Sequence, residues 1–144
     1  MKTLEIFTDG GARGNPGPAG IGVIIKNNKK TIFSHSGYIG QATNNEAEYE
    51  ALKKAFDWLD QNHSLITDCD QIICYLDSLL IVSQLSGRYK IKAANLAGLA
   101  NKIKKIEKEL PITVSYRHIP RSKNQQADAL VNQALDKATK IEVI

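Results

Sequence analysis

The chain has 144 residues, 42% hydrophobic and 24% charged, which suits one compact soluble domain and leaves no length for a second full one. Nineteen Lys and Arg against fifteen Asp and Glu give +4, a mild excess that permits a polyanionic partner without demanding one. No apolar run approaches the roughly 20 residues that span a bilayer, and the first residues pass from a short alternating stretch straight into a turn, so membrane insertion and Sec-type export are disfavoured and a cytoplasmic location is expected.

Taken in order, Leu4 to Thr8 alternates as a strand, and Gly10 to Gly22, dense in glycine with Pro16 and Pro18, reads as one loop. Ile21 to Ile25 and Thr31 to Ile39 read as two further strands joined by a turn at Asn27-Asn28, an antiparallel start. From Thr43 the period becomes helical, with Thr43 or Asn44 as cap and a stripe of Leu52, Ala55, Phe56 and Leu59. Gln71 to Leu76 is apolar enough for a central strand covered on both faces, and the preceding helix is the crossover that a parallel neighbour requires. Cys69 and Cys74 form neither a CxxC pair nor a zinc half-site, so they read as buried thiols in a reducing compartment. Ser78 to Leu85 suits a short helix ended by Gly87, and Leu96, Leu99, Ala100, Ile103, Ile106 and Leu110 stripe a longer one ended by Pro111. A strand over Ile112 to Tyr116 and a helix from about Asn124 to Ala138 complete the order βββαβααβα. That order predicts an α/β fold with a mixed five-stranded sheet, its first three strands antiparallel and helices on both faces. Residues 1–140 form the single domain, and 141–144 a short tail that alternates like an edge strand.

Four carboxylates fall where solvated acids do not belong. Asp9 ends the first strand, and Asp77 ends the apolar strand at the C-terminal edge where sheets of this class bind ligands. Asp9-Gly10 also suits a turn, and Asp77 also suits a helix cap. Glu48 is harder to dismiss: at 100° per residue it lies within about 40° of Leu52, Ala55 and Leu59, inside the apolar stripe. Glu46 and Glu50 fall on the opposite face as surface charges. Asp128 stands three and seven residues before Val131 and Leu135, bordering the buried stripe of its helix, although a first-turn acid is also what the helix dipole favours. Four acids from two strand ends and two helix N-terminal turns converge only around something positive. Hard divalent cations fit, since Mg²⁺ takes a few carboxylates plus water and phosphate oxygens, and two such ions about 4 Å apart assist phosphodiester cleavage. No zinc pattern, phosphate loop or nucleophile elbow is present.

Thr8-Asp9-Gly10-Gly11 through Asn15-Pro16-Gly17-Pro18-Ala19-Gly20, Thr43-Asn44-Asn45-Glu46-Ala47-Glu48, Leu76-Asp77-Ser78, and His118 followed by Ala127-Asp128-Ala129-Leu130 together resemble type 1 ribonuclease H. The similarity runs in order over essentially the whole chain. It implies a ribonuclease H-like fold and an endonuclease that cuts the RNA of an RNA/DNA hybrid with two Mg²⁺ or Mn²⁺ ions, leaving 5′-phosphate and 3′-hydroxyl ends. It also implies that Asp9, Glu48, Asp77 and Asp128 bind metal and that His118 assists proton transfer or product departure. Gly10, Gly11, Asn15, Asn44, Asn45 and Ser78 are then substrate contacts, the glycines letting loop N–H groups approach the backbone closely. Double-stranded RNA as a second substrate and a non-catalytic hybrid-binding module are the alternatives; an intact carboxylate set disfavours the module. A monomer without membrane partners is expected.

The chain departs from the family where Leu79 stands in place of a frequent glutamine and where Ser86 to Lys92 is shorter than the basic protrusion of some members. Lys102, Lys104, Lys105 and Lys108 make a basic helical face suited to gripping the DNA strand or simply to solvation. The charge is unevenly spread: residues 1–85 carry 7 basic and 10 acidic groups, residues 86–123 carry 10 and 2, and residues 124–144 carry 2 and 3, for −3, +8 and −1.

Overall fold

A computed structural model describes residues 2–143. Strand β1 (Thr3–Ala12) pairs antiparallel with β2 (Gly17–Asn27), which pairs antiparallel with β3 (Lys30–Ala42). Helix α1 (Asn44–Gln61) crosses over to β4 (Gln71–Leu76), laid parallel beside β1. Helices α2 (Leu79–Leu85) and α3 (Ala94–Glu109) follow, then β5 (Thr113–His118), parallel to β4, and α4 (Gln125–Val143). The sheet order is β3-β2-β1-β4-β5, the mixed five-stranded sheet that the element order predicts.

Helices α1 and α3 pack on each other and α1 on β1 and β2, while α4 lies against β2, β3 and β1. Leu4, Ile6, Val23, Ile25, Ile72 and Cys74 from the sheet meet Leu52, Phe56, Leu59 and Ile103 from the helices in the main core. The stripe on α1 is therefore the face it buries. Cys69 and Cys74 are free and buried, as expected. Among the described residues no helix is long and apolar enough to cross a membrane.

Three local expectations change. The glycine-rich stretch is mostly strand, with only 13–16 between β1 and β2. Its glycines at 10, 20 and 22 serve helix packing: a Cβ on Gly10 would lie 2.2 Å from the Ala47 carbonyl carbon, and one on Gly22 would lie 2.2 Å from the Ala127 carbonyl oxygen. The β2–β3 turn sits one residue later than expected, at Asn28-Lys29, both with positive φ, as a two-residue hairpin of matching twist requires. Finally, α4 continues to Val143, so 141–143 are helical rather than a strand-like tail, and Ile144 lies outside the described residues.

Candidate functional site

Asp9, Glu48 and Asp77 come together from β1, α1 and the end of β4. One carboxylate oxygen from each lies within 4.8 Å of the others. Asp9 and Glu48 are each only 7% exposed, and Asp77 is half-buried. The sequence explains how Glu48 arrives there. Thr43 caps α1 through a capping box, its side chain accepting from the Glu46 N–H while Glu46 accepts from the Thr43 N–H at 3.0 Å. Gly10 lets the first turn of α1 press directly on β1. Glu46 is thus a half-buried capping acid, not the free surface charge expected, and hydrogen bonding by the Thr43 backbone N–H holds its carboxyl below the ordinary value.

Burial pushes Asp9 up to about 6, and the charges of Asp77 and Asp128 add to this while a hydrogen bond with Glu48 opposes it. Glu48 is raised well above the carboxylate range, first by burial and then by the Asp9 charge and a hydrogen bond to Asp9. Both carboxyls are thus harder to ionise than ordinary ones. Glu48 Oε2 is buried without a hydrogen-bond partner. An orphaned carboxylate oxygen facing two further acids is unfavourable unless protonated or met by a cation, so these residues fit a hard divalent ion.

Asp128 lies at the rim of this set. It stands in the first turn of α4, exposed although Val131 and Leu135 further along the helix are buried, and its Oδ2 accepts from Asn132 Nδ2 at 3.4 Å. Its charge and a side-chain hydrogen bond both act on Asp9. His118, also exposed, ends β5 opposite Leu76, the residue before Asp77.

The expected substrate contacts divide. Asn15 Oδ1 accepts from the Asn44 backbone N–H, and Asn44 Oδ1 accepts from the Ala12 N–H, both at 2.9 Å, so the two amides clasp the β1–β2 turn to α1. Both residues are exposed, as is Asn45. Ser78 caps α2, accepting from the Ile81 N–H at 3.3 Å. Gly10 is buried against α1 and lies in a strand, so its missing side chain admits α1 rather than a ligand; Gly11 is half-buried. On α3, Lys104 turns toward Glu107 at 3.2 Å and the Tyr116 ring, leaving Lys102, Lys105 and Lys108 as the exposed basic residues.

One residue of the site was missed in the sequence. Asn124, 2% exposed, donates from Nδ2 to the Thr8 carbonyl at 2.9 Å and to Asp77 Oδ2 at 3.2 Å. An asparagine at a helix start reads as a cap, and no spacing rule links it to Asp77, 47 residues away.

A family model described as reverse transcriptase-like matches residues 7–134. The chain is 32% identical over 151 residues to a ribonuclease H of Erythrobacter litoralis, covering 94% of this chain and 98% of that protein. It is 36% identical over 140 residues to a bifunctional protein of Mycobacterium tuberculosis, covering 96% of this chain but 36% of that protein. The chain thus spans about a third of the length of the first curated relatives it matches. Among solved structures, the RNase H1 called LC11, isolated from compost, superposes with a TM-score of 0.89 at 48% identity, covering 96% of this chain and 99% of that one. The same LC11 protein in complex with an RNA/DNA hybrid gives 0.88 at 47% identity, covering 94% and 99%.

Proposed function

The chain belongs to the type 1 ribonuclease H family, and from that premise we propose that it hydrolyses the RNA strand of RNA/DNA hybrids as a metal-dependent endonuclease. The observation that carries this reading is the cluster of Asp9, Glu48 and Asp77, three acids drawn within 4.8 Å, two of them buried and with raised pKa values. Such crowding opposes folding on its own and suits a site completed by cations. The hybrid bound to LC11, a relative at 47% identity, supports the substrate.

Asp9, Glu48 and Asp77, with Asp128 at the rim, would hold two Mg²⁺ ions, or Mn²⁺ in their place. When bound, these ions supply an activated water and offset charge on the phosphate, giving 5′-phosphate and 3′-hydroxyl ends. His118, exposed at the end of β5 beside the end of β4, would assist proton transfer or product departure. With their Oδ1 atoms already bonded to backbone, Asn15 and Asn44 would offer their Nδ2 donors to the substrate, joined by Asn45. Donors suit the acceptors that every base pair offers in the minor groove, and 2′-hydroxyls there distinguish RNA. Residues 86–123, with net charge +8, supply the counter-charge for the nucleic-acid backbone.

The test is cleavage of a labelled hybrid by the purified protein with Mg²⁺ or Mn²⁺, compared with single-stranded RNA, duplex RNA and duplex DNA. Asp77→Asn is expected to abolish cleavage in a folded protein. Undiminished activity in that variant, or in excess chelator, overturns the metal reading; cleavage of duplex RNA at a similar rate widens the substrate to A-form duplexes.

A further inference from the structure

Strands β1 and β4 run paired only as far as Phe7 and Tyr75. Beyond that point they part, and the candidate site opens in the fork, with Asp9 two residues further along one strand and Asp77 two residues further along the other. A parallel ladder that stops leaves backbone groups in need of partners. Asn124 enters this fork from the segment between β5 and α4. Its amide nitrogen spends both hydrogens there, one on the Thr8 carbonyl and one on the Asp77 carboxylate. The Thr8 carbonyl can only accept, which fixes the orientation of the amide. Its Oδ1 stays buried without a partner, an unfavourable arrangement retained around a residue used for its donors. The Asn124 carbonyl also accepts the Asp128 N–H at 3.1 Å, so one residue ties together the ends of β1 and β4 and the start of α4.

We propose that Asn124 is a positioning residue for Asp77, holding its carboxylate toward Asp9 and Glu48 rather than letting it swing into solvent; the proposal rests on Asp77 being a metal ligand. Asp77 is half-buried at a strand end, where it is open to solvent, and the Asn124 amide is the bond that holds it toward Asp9 and Glu48. Groups that orient ligands in this way typically change metal affinity or activity by about 10–100-fold when removed.

The wild type, Asn124→Ala and the smaller polar variant Asn124→Ser are compared by circular dichroism, by the Mg²⁺-induced rise in Tm without substrate, and by the Mg²⁺ dependence of hybrid cleavage. Folded variants are expected to need about tenfold more Mg²⁺ in both assays, with kcat reduced and KM for the hybrid unchanged. A folded variant with wild-type Mg²⁺ requirement and kcat overturns the proposal and leaves Asn124 as a structural pin. A wild type that responds to neither Mg²⁺ nor Mn²⁺ instead removes the metal reading beneath it. Should neither variant fold, the side-chain NH₂ of Asn124 in ¹⁵N spectra of the wild type decides. Two slowly exchanging protons that shift on Mg²⁺ addition support the proposal, and rapid exchange of either overturns it.

Discussion

Asp9 and Glu48 on one side of the candidate site, and Asp128 and His118 on the other, hold similar chemistry under opposite conditions. The first two are 7% exposed, come from the packed centre of the molecule and carry raised pKa values. The second two are exposed at an element's end or first turn. Interior acids work against folding until a cation neutralises them, whereas rim groups burden folding little and keep the freedom to follow a substrate. Substitution on the inner side should therefore trade activity against stability, and substitution on the rim should change activity alone.

The largest effect expected is at Glu48. Glu48→Gln should lower cleavage by about 10³-fold, the scale of several kcal/mol of lost metal-assisted stabilisation, and should stabilise the metal-free protein at pH 7. Asp128→Asn should also lower cleavage while leaving metal-free stability within about 0.5 kcal/mol, as surface substitutions usually do. Denaturant titrations in chelator with parallel cleavage assays give both numbers. Equal stabilisation by the two variants would erase the distinction between inside and rim.

How far this division was legible depended on which residues carried a period. The α1 stripe singled out Glu48 over Glu46 because helical angle alone decides which side chains face a core, and the structure buries Glu48 as that angle requires. The same logic overreached at Asp128: bordering the buried stripe of Val131 and Leu135 does not bury an acid in a first turn. Glycines at 10, 20 and 22 looked like loop because composition cannot show that a helix will press on a strand there. The alternation from Lys140 to Ile144 misled because five residues are too few to separate a period of 2 from one of 3.6, and α4 continues through Val143. Asn124 was invisible for another reason, since its role follows from where two strands diverge, a property of the sheet and not of neighbouring residues.

The pH dependence sharpens the inner half further. Asp9 titrates near 6 in the fold against an ordinary value of 3.8. Between those values the folded state holds a proton that the unfolded state has lost, so metal-free stability from this group falls as pH rises through the window. The stability gained by Asp9→Asn over wild type in chelator should grow from about pH 4 to pH 6, by at most about 3 kcal/mol. Saturating Mg²⁺ should cancel the decline in the wild type and release protons as it binds. A difference independent of pH would mean that Asp9 is already ionised in the metal-free fold.

On the rim, His118→Ala should reduce kcat by about 10²-fold, the usual contribution of a placed acid or base. Tm and KM for the hybrid should stay near wild type. A raised KM with unchanged kcat would make His118 a binding residue instead.

The smallest effect expected separates the acidic centre from the basic flank. Arg88, Lys90 and Lys92 are exposed and line a cavity of about 490 Å³ with Leu80, Gln84, Tyr89, Ala93 and Leu96, between α2 and α3. None of them enters the carboxylate cluster, so their positive charge acts on encounter and binding through released counterions. Lys90→Gln and Lys92→Gln should each raise KM only a few-fold and lower the slope of log KM against log salt by about 1, with kcat and Mg²⁺ requirement unchanged. Glu48→Gln should do the reverse, lowering kcat while leaving the salt slope alone. If the lysine variants instead lost kcat at saturating hybrid, the flank would be helping to align the scissile phosphate, and the separation of binding charge from reacting charge would fail.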